Sequence, residues 1–220
     1  MKKSTLLLEN IRLNPYQIHK FRGFVGNLFM EHNLIHNHDE SGKPIYRYPL
    51  IQFKLIDNTP AIIAVTEPAI QIFSEIFMNM NEINIEGKII PVFEKNLTVE
   101  DVKFGYSQET YMYEFASPWI GLNQINYKKY SDSTSRDDRE NILKKAMTGN
   151  ILSMSKFLNH WLEKDQQIKI DLKVSEKPVN LKTKRMIGFF GIFKVNFAIP
   201  DYLGIGKSVS RGFGVARRMI

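Results

Sequence analysis

The sequence predicts an α+β protein of two tandem ferredoxin-like domains, residues 1–100 and 101–220, the second an incomplete copy. Three observations carry this reading. In the first half the hydrophobic periodicities run strand, helix, strand, strand, helix, strand. After residue 100 a strand-like segment, a long helix and further strands start the pattern again, without a sequence repeat. No helical period stands between the last two strands of the second half, which is where the copy is incomplete.

Residues 4–13 read as a strand, from a leucine run followed by the alternating Ile11 and Leu13. Asn14, Pro15 and Gln17 then form a helix start. Asn14 can cap, Pro15 suits the first helical position, and Gln17 can reach back to the cap. Ile18, Phe21, Val25, Leu28 and Phe29 follow at helical spacing. Residues 33–44 lack a period and are rich in turn formers, so they read as a loop. Residues 45–56 and 61–65 form a hairpin. Ile51, Phe53 and Leu55 share one face; Tyr46, Tyr48, Gln52 and Lys54 share the other. A second helix opens at Thr66-Glu67-Pro68 with the stripe Ile70, Phe73, Phe77 and Met80, and residues 83–93 close the unit as its last strand.

In the second half, residues 102–115 are strand-like, with Tyr111, Tyr113 and Phe115 alternating. Residues 117–139 are polar and read as a loop with a helical start. Residues 140–162 are the clearest helix, striped by Leu143, Ala146, Met147, Ile151, Met154, Leu158, Trp161 and Leu162. Ile168, Ile170, Leu172 and Val174 alternate with polar residues as a half-buried strand, and residues 186–199 form another, interrupted by Gly188 and Gly191. His19 and His160 fall off the apolar stripes and read as solvated.

With 220 residues, 43% of them hydrophobic, the chain can bury a substantial core. It contains no cysteine, which excludes disulfides and thiolate metal sites. No stretch approaches the roughly 20 apolar residues of a membrane span, and the N-terminal apolar run is too short for a signal peptide, so a soluble cytoplasmic protein is expected. Of the net charge of +7, residues 177–220 supply nine lysines and arginines against the single acid Asp201. A basic end on a near-neutral body suits a polyanionic partner, or is simply a solvated face.

That basic end contains two glycine pairs, Gly204/Gly206 and Gly212/Gly214, enclosing Lys207, Ser208, Ser210 and Arg211. Glycine permits tight turns, and exposed amides in such turns can cradle phosphate. Gly206-Lys207-Ser208 imitates the end of a Walker A loop. However, Asp201 stands where that motif needs its first glycine, and too little chain follows for a helix and sheet. The Rossmann fingerprint fails on spacing and for the same want of following chain.

The tail instead resembles the glycine-rich loop of the CRISPR-associated RNA-binding proteins called RAMPs. The run from Phe189 to Pro200, leading into Gly204-Ile205-Gly206 and Gly212-Phe213-Gly214, is similar to the Cas-six endoribonucleases that cut CRISPR precursor transcripts. The resemblance implies two ferredoxin-like, RRM-like domains and CRISPR repeat RNA as partner, with no membrane and no cofactor. It admits homodimerisation or association with an effector complex. Lys182, Lys184 and Arg185 become candidates for phosphate contacts to a stem-loop. So do Lys207, Ser208 and Arg211 together with the amides of Gly204, Gly206, Gly212 and Gly214. Such contacts give affinity and salt dependence rather than base reading.

His32, His36 and His38 lie within seven residues, beside Asp39. Read locally, this is a polar surface loop, a metal site, or an acid–base pair, histidine being suited to proton transfer near neutrality. The metal reading would make the protein a metal-dependent hydrolase, although no HExxH frame exists. The resemblance implies a catalytic histidine just after the first helix, a place that His36 and His38 occupy. The implied chemistry is metal-independent. A base takes the proton of a ribose 2′-hydroxyl, which attacks phosphorus, and an acid protonates the leaving 5′-oxygen. Tyr46, with Tyr48 as the alternative, would add a hydroxyl. A RAMP-type RNA-binding subunit without cleavage activity is the competing expectation.

Overall fold

The computed structural model describes residues 1–29, 47–181 and 184–219. They form two compact units, Met1–Val102 with Val209–Gly212, and Lys103–Ser208 with Phe213–Ile220. Each has its own four-stranded antiparallel sheet.

In the first unit, β1 (Lys2–Leu8) leads through a 3-10 turn at Pro15–Gln17 into α1 (Ile18–Leu28). The expected reach-back is present: the Asn14 backbone N–H donates to Gln17 Oε1 at 3.0 Å. β1 ends earlier than the leucine run suggests, yet Ile11 and Leu13 are buried all the same. Next come β2 (Ile51–Ile56), β3 (Thr59–Val65) and α2 (Glu67–Asn79). The strand expected from residue 45 begins only at Ile51, after Pro49, which has no N–H to give a ladder. Asp57 and Asn58 both take positive φ, 50° and 63°, and turn the β2–β3 hairpin.

Residues 83–93 are not the closing strand. They form a small separate hairpin, β4 (Glu82–Ile85) and β5 (Lys88–Pro91), turned by Glu86 and Gly87 at φ 58° and 84°. Two successive positive-φ residues are the signature of a two-residue hairpin turn. The closing strand is β6 (Lys95–Asp101), which pairs with β1 from Lys2↔Asp101 to Leu8↔Lys95. It is a largely exposed edge, so it has little hydrophobic alternation to reveal it. The sheet order is β2-β3-β1-β6, the ferredoxin-like order with β6 as fourth strand. Phe21 and Val25 of α1, Phe73 and Ile76 of α2, and Leu6, Phe53 and Ile62 of the sheet meet in one core.

The second unit runs β7 (Gly105–Phe115), α3 (Gln124–Asp132), α4 (Arg136–Phe157), β8 (Ile170–Leu181), β9 (Lys184–Ala198) and β10 (Ala216–Arg218). Its sheet order, β10-β7-β9-β8, repeats the ferredoxin-like order. The second helix is missing: residues 199–215 join β9 to β10 without one. α3 lies in what reads as a loop, opened by Asn123, whose side chain accepts from the Asn126 N–H. α4 stops at Phe157, short of the expected end, so Trp161 is 66% exposed rather than part of the stripe, with the Lys156 amine over its ring. Gly188 and Gly191 do not interrupt β9; they pair in register with Lys177 and Val174 of β8. Tyr111, Tyr113 and Phe115 are core residues, and Tyr113 stacks on Phe193 at 5.2 Å.

His160 is not solvated as expected. Its Nε2 accepts the Tyr106 N–H at 3.2 Å, and its ring meets Phe104 and Phe197 edge-on. The missing Cβ of Gly105 makes room for that ring.

Candidate nucleic-acid interface

The glycine-rich tail is first a structural closure of the second unit. Gly204 bridges Val215 in an antiparallel pair, and the Ile205 N–H donates to the Gly214 carbonyl at 2.8 Å. Gly206 sits at φ 92°, where a Cβ would lie 2.7 Å from the Ile120 carbonyl oxygen and 2.8 Å from Trp119 Nε1. Gly214, at φ 63°, has the Ile205 carbonyl where a Cβ would be. Both positions combine the left-handed backbone with an occupied Cβ site, and only glycine meets the two demands at once.

The amides expected to face a phosphate are largely engaged within the chain. The Lys207 N–H donates to the Ile120 carbonyl at 2.9 Å, the Gly214 N–H to the Pro118 carbonyl at 2.8 Å, and the Gly212 N–H to the Val209 carbonyl at 3.3 Å. What the loop offers outward is side chains. Lys207 is exposed, Ser208 is half-buried at φ 56°, and Arg211 is half-buried. Two neighbouring cations are committed elsewhere. Arg217 Nε donates to Glu114 Oε1 at 2.5 Å, and the Arg218 guanidinium lies 4.5 Å from the Tyr111 ring centroid. The Glu114 hydrogen bond and charge hold the Arg217 pKa above its ordinary value.

Val209–Gly212 belongs to the first unit and lies along β2. The Phe53 N–H donates to the Ser210 carbonyl at 3.4 Å, and Phe53 and Arg211 form a parallel bridge. A Cβ on Gly212 would stand 3.0 Å from the Ile18 side chain of α1. The Lys54 amine donates to the Val209 carbonyl at 2.7 Å from a fully buried position, and burial holds its pKa down to about 7. Arg22, one helical turn beyond Ile18, has its pKa lowered by burial and then by the charge of Arg211. Neither residue is a candidate from sequence. A lysine alternating with Phe53 and Leu55 reads as a solvent-facing strand residue, and an arginine on a helix reads as exposed.

Of the other sequence-predicted residues, Lys184 and Arg185 are exposed at the start of β9, paired with Leu181 and Asn180 across the hairpin. His32, His36, His38, Tyr46 and Lys182 lie outside the described residues. Tyr48 is buried. Burial raises its phenol pKa well above the ordinary value, and a hydrogen bond with Gln52 opposes that rise in part. Among the described residues, no three His, Cys, Asp or Glu side chains come together as metal ligands, and no helix is long and apolar enough to cross a membrane.

Comparison with known proteins covers both units. Residues 1–103 match the Cas6b N-terminal domain and residues 105–219 the Cas6b C-terminal domain. A crystal structure of Cas6b is 35% identical, with a TM-score of 0.93 over 99% of each chain. A second, of a CRISPR RNA processing endoribonuclease Cas6b, is 33% identical, with a TM-score of 0.80 over all of both chains. An uncharacterised protein of Methanocaldococcus jannaschii is 40% identical over 145 residues, which is 66% of this chain and 97% of that protein.

Proposed function

The chain belongs to the Cas6b family, and on that premise we propose that it cuts CRISPR precursor RNA within the repeats as a metal-independent endoribonuclease of the cytoplasm. The observation that carries this reading is the end-to-end likeness to a CRISPR RNA processing endoribonuclease at 33% identity.

His36 and His38 act as the acid–base pair, one taking the proton of the ribose 2′-hydroxyl and the other protonating the leaving 5′-oxygen. The P–O5′ bond breaks as the O2′–P bond forms, leaving a 2′,3′-cyclic phosphate and a 5′-hydroxyl. Each positioned proton-transfer group is worth about 10²–10⁴ in rate. Tyr46 donates to the phosphate oxygen, where charge develops. Tyr48 is the weaker candidate because it is buried beside Gln52 and holds its proton tightly. Lys182, Lys184 and Arg185 contact the backbone of the RNA stem. Lys207, Ser208 and Arg211 contact it at the tail, where Gly204, Gly206, Gly212 and Gly214 set the path of the loop.

The test is cleavage of cognate repeat RNA in EDTA. One discrete cut is expected, and an RNA with 2′-deoxyribose at that nucleotide should bind but stay intact. Loss of activity in EDTA restored by a divalent ion would overturn metal independence. Unchanged cutting by the His36→Ala/His38→Ala double variant would overturn the site.

A further inference from the structure

We propose that a cleft in the second unit, between α3 and the start of β9, holds one unpaired nucleotide of the bound RNA, its base stacked on Tyr127 and its flanking phosphates held by Arg185 and Lys207. This rests on the reading of the chain as an RNA-binding nuclease and extends it to a residue that neither the glycine loop nor the histidine loop contains.

The cleft has a volume of about 210 Å³. That is below the roughly 300–1,000 Å³ of sites for whole small molecules, a size suited to one planar ring. Its lining includes apolar side chains, buried Ile120 and Leu122 and half-buried Met186 and Ile187, together with exposed Asn123 and Gln124. Tyr127 of α3 forms one wall and is 46% exposed. Arg185 and Lys207 stand at the rim, both exposed. Apolar and amide side chains, an aromatic ring and two cations around one cleft suit a base with its phosphates, because stacking is tolerant of base identity while cations track the backbone.

The two cations differ from others of the same unit. Arg139, Lys177 and Arg218 lie over aromatic rings, and Arg217 pairs with Glu114. Among the described residues, the side chains of Arg185, Lys207 and Tyr127 make no hydrogen bond, ion pair or ring contact. A second cleft of about 410 Å³ shares Tyr127, Arg185, Met186 and Ile187 and continues past Lys177. The nucleotide would therefore have a track along which its chain could run. Glu176, the carboxylate lining that track, accepts the Tyr130 hydroxyl at 3.2 Å.

The proposal is tested by measuring the affinity of the full-length protein for repeat RNA blocked with 2′-deoxyribose at the mapped cut, in EDTA, at several salt concentrations. Tyr127→Ala should weaken binding about tenfold with an unchanged salt slope, and Tyr127→Phe should restore it. Arg185→Gln and Lys207→Gln should each lower the slope by about one. A scan of abasic positions through the RNA should find one position that weakens the wild-type protein as Tyr127→Ala does, and on that RNA the variant should cost nothing further. Tyr127→Ala binding within twofold of wild type overturns the proposal alone, as does the absence of any such abasic position, a result that needs only wild-type protein. Failure of wild-type protein to bind the repeat overturns the functional reading and this inference with it.

Discussion

Between its third and fourth sheet strands the N-terminal unit places a helix, α2, whereas in the C-terminal unit the strands β9 and β10 are joined by the glycine-rich residues 199–215, of which Val209–Gly212 belong to the first unit. The two connections bridge equivalent strands by different physics. α2 is held by side chains: Ala69, Phe73 and Ile76 are buried in the core, while Gln71 is exposed. The glycine segment also buries side chains, Leu203, Ile205, Val209 and Val215, but in addition it is held by its backbone, through hydrogen bonds from Ile205, Lys207 and Gly214, and by positions whose Cβ sites other atoms fill. A side-chain-held connection tolerates change wherever a side chain points outward. One that also depends on its backbone tolerates little change at its glycines but can still present an exposed side chain such as Lys207.

The largest expected effect follows from that contrast. Gly214→Ala must place a Cβ against the Ile205 carbonyl at φ 63°, adding backbone strain to overpacking. It should cost about 2–6 kcal/mol in chemical denaturation, whereas Gln71→Ala on the exposed face of α2 should stay within about 0.5 kcal/mol. Equal effects at the two sites would show that the connections are held alike.

Next comes the pH dependence of the tail's anchor in the first unit. The folded-state pKa of Lys54 is about 7, below the ordinary 10.5, so between those values the unfolded chain binds the extra proton. Stability therefore rises with pH across that window and falls as pH drops towards 7, by up to about 5 kcal/mol for this group. Thermal melts of Lys54→Met from pH 7 to 10 should show a flatter profile than wild type. An identical slope would mean that the amine is not held neutral by burial.

The smallest effect concerns a glycine of the other kind. Gly149, within α4, has nothing within 4 Å of its Cβ site. Gly149→Ala should stabilise by about 0.5–1 kcal/mol, since there glycine brings only helix-weakening freedom. Destabilisation would place Gly149 with Gly206 and Gly214 as a packing glycine.

The order of elements in the first unit is legible because α1, α2, β2 and β3 each bury one apolar pattern, which is what periodicity detects. β6 is not, since an exposed edge strand has no buried face to mark it, and the β4–β5 hairpin hides in a segment apolar enough to read as one strand. The place of the missing helix is not legible either: the three-residue β10 gives no strand signal, so the gap reads as lying between the strands that are β8 and β9, which pair directly instead. α3 is not, because among its residues only Tyr130 is buried. Within the candidate interface, Lys184, Arg185, Lys207 and Arg211 are evident from charge. Tyr127 carries no signal until folding brings it to the same cleft as Arg185 and Lys207, and Lys54 reads as a surface residue until burial and a hydrogen bond to the Val209 carbonyl place it inside.

Local chemistry was enough for the ferredoxin-like order, the turn and cap residues, the basic tail and the family to which they point, since each depends on neighbours in the chain. Which glycines are irreplaceable, which cations are already engaged and which lysine is buried depend on residues about 90 or more positions away. Trp119 against Gly206, Glu114 against Arg217 and Val209 against Lys54 are such pairs. No periodicity encodes them, because burial and charge pairing arise only when distant segments exclude water together.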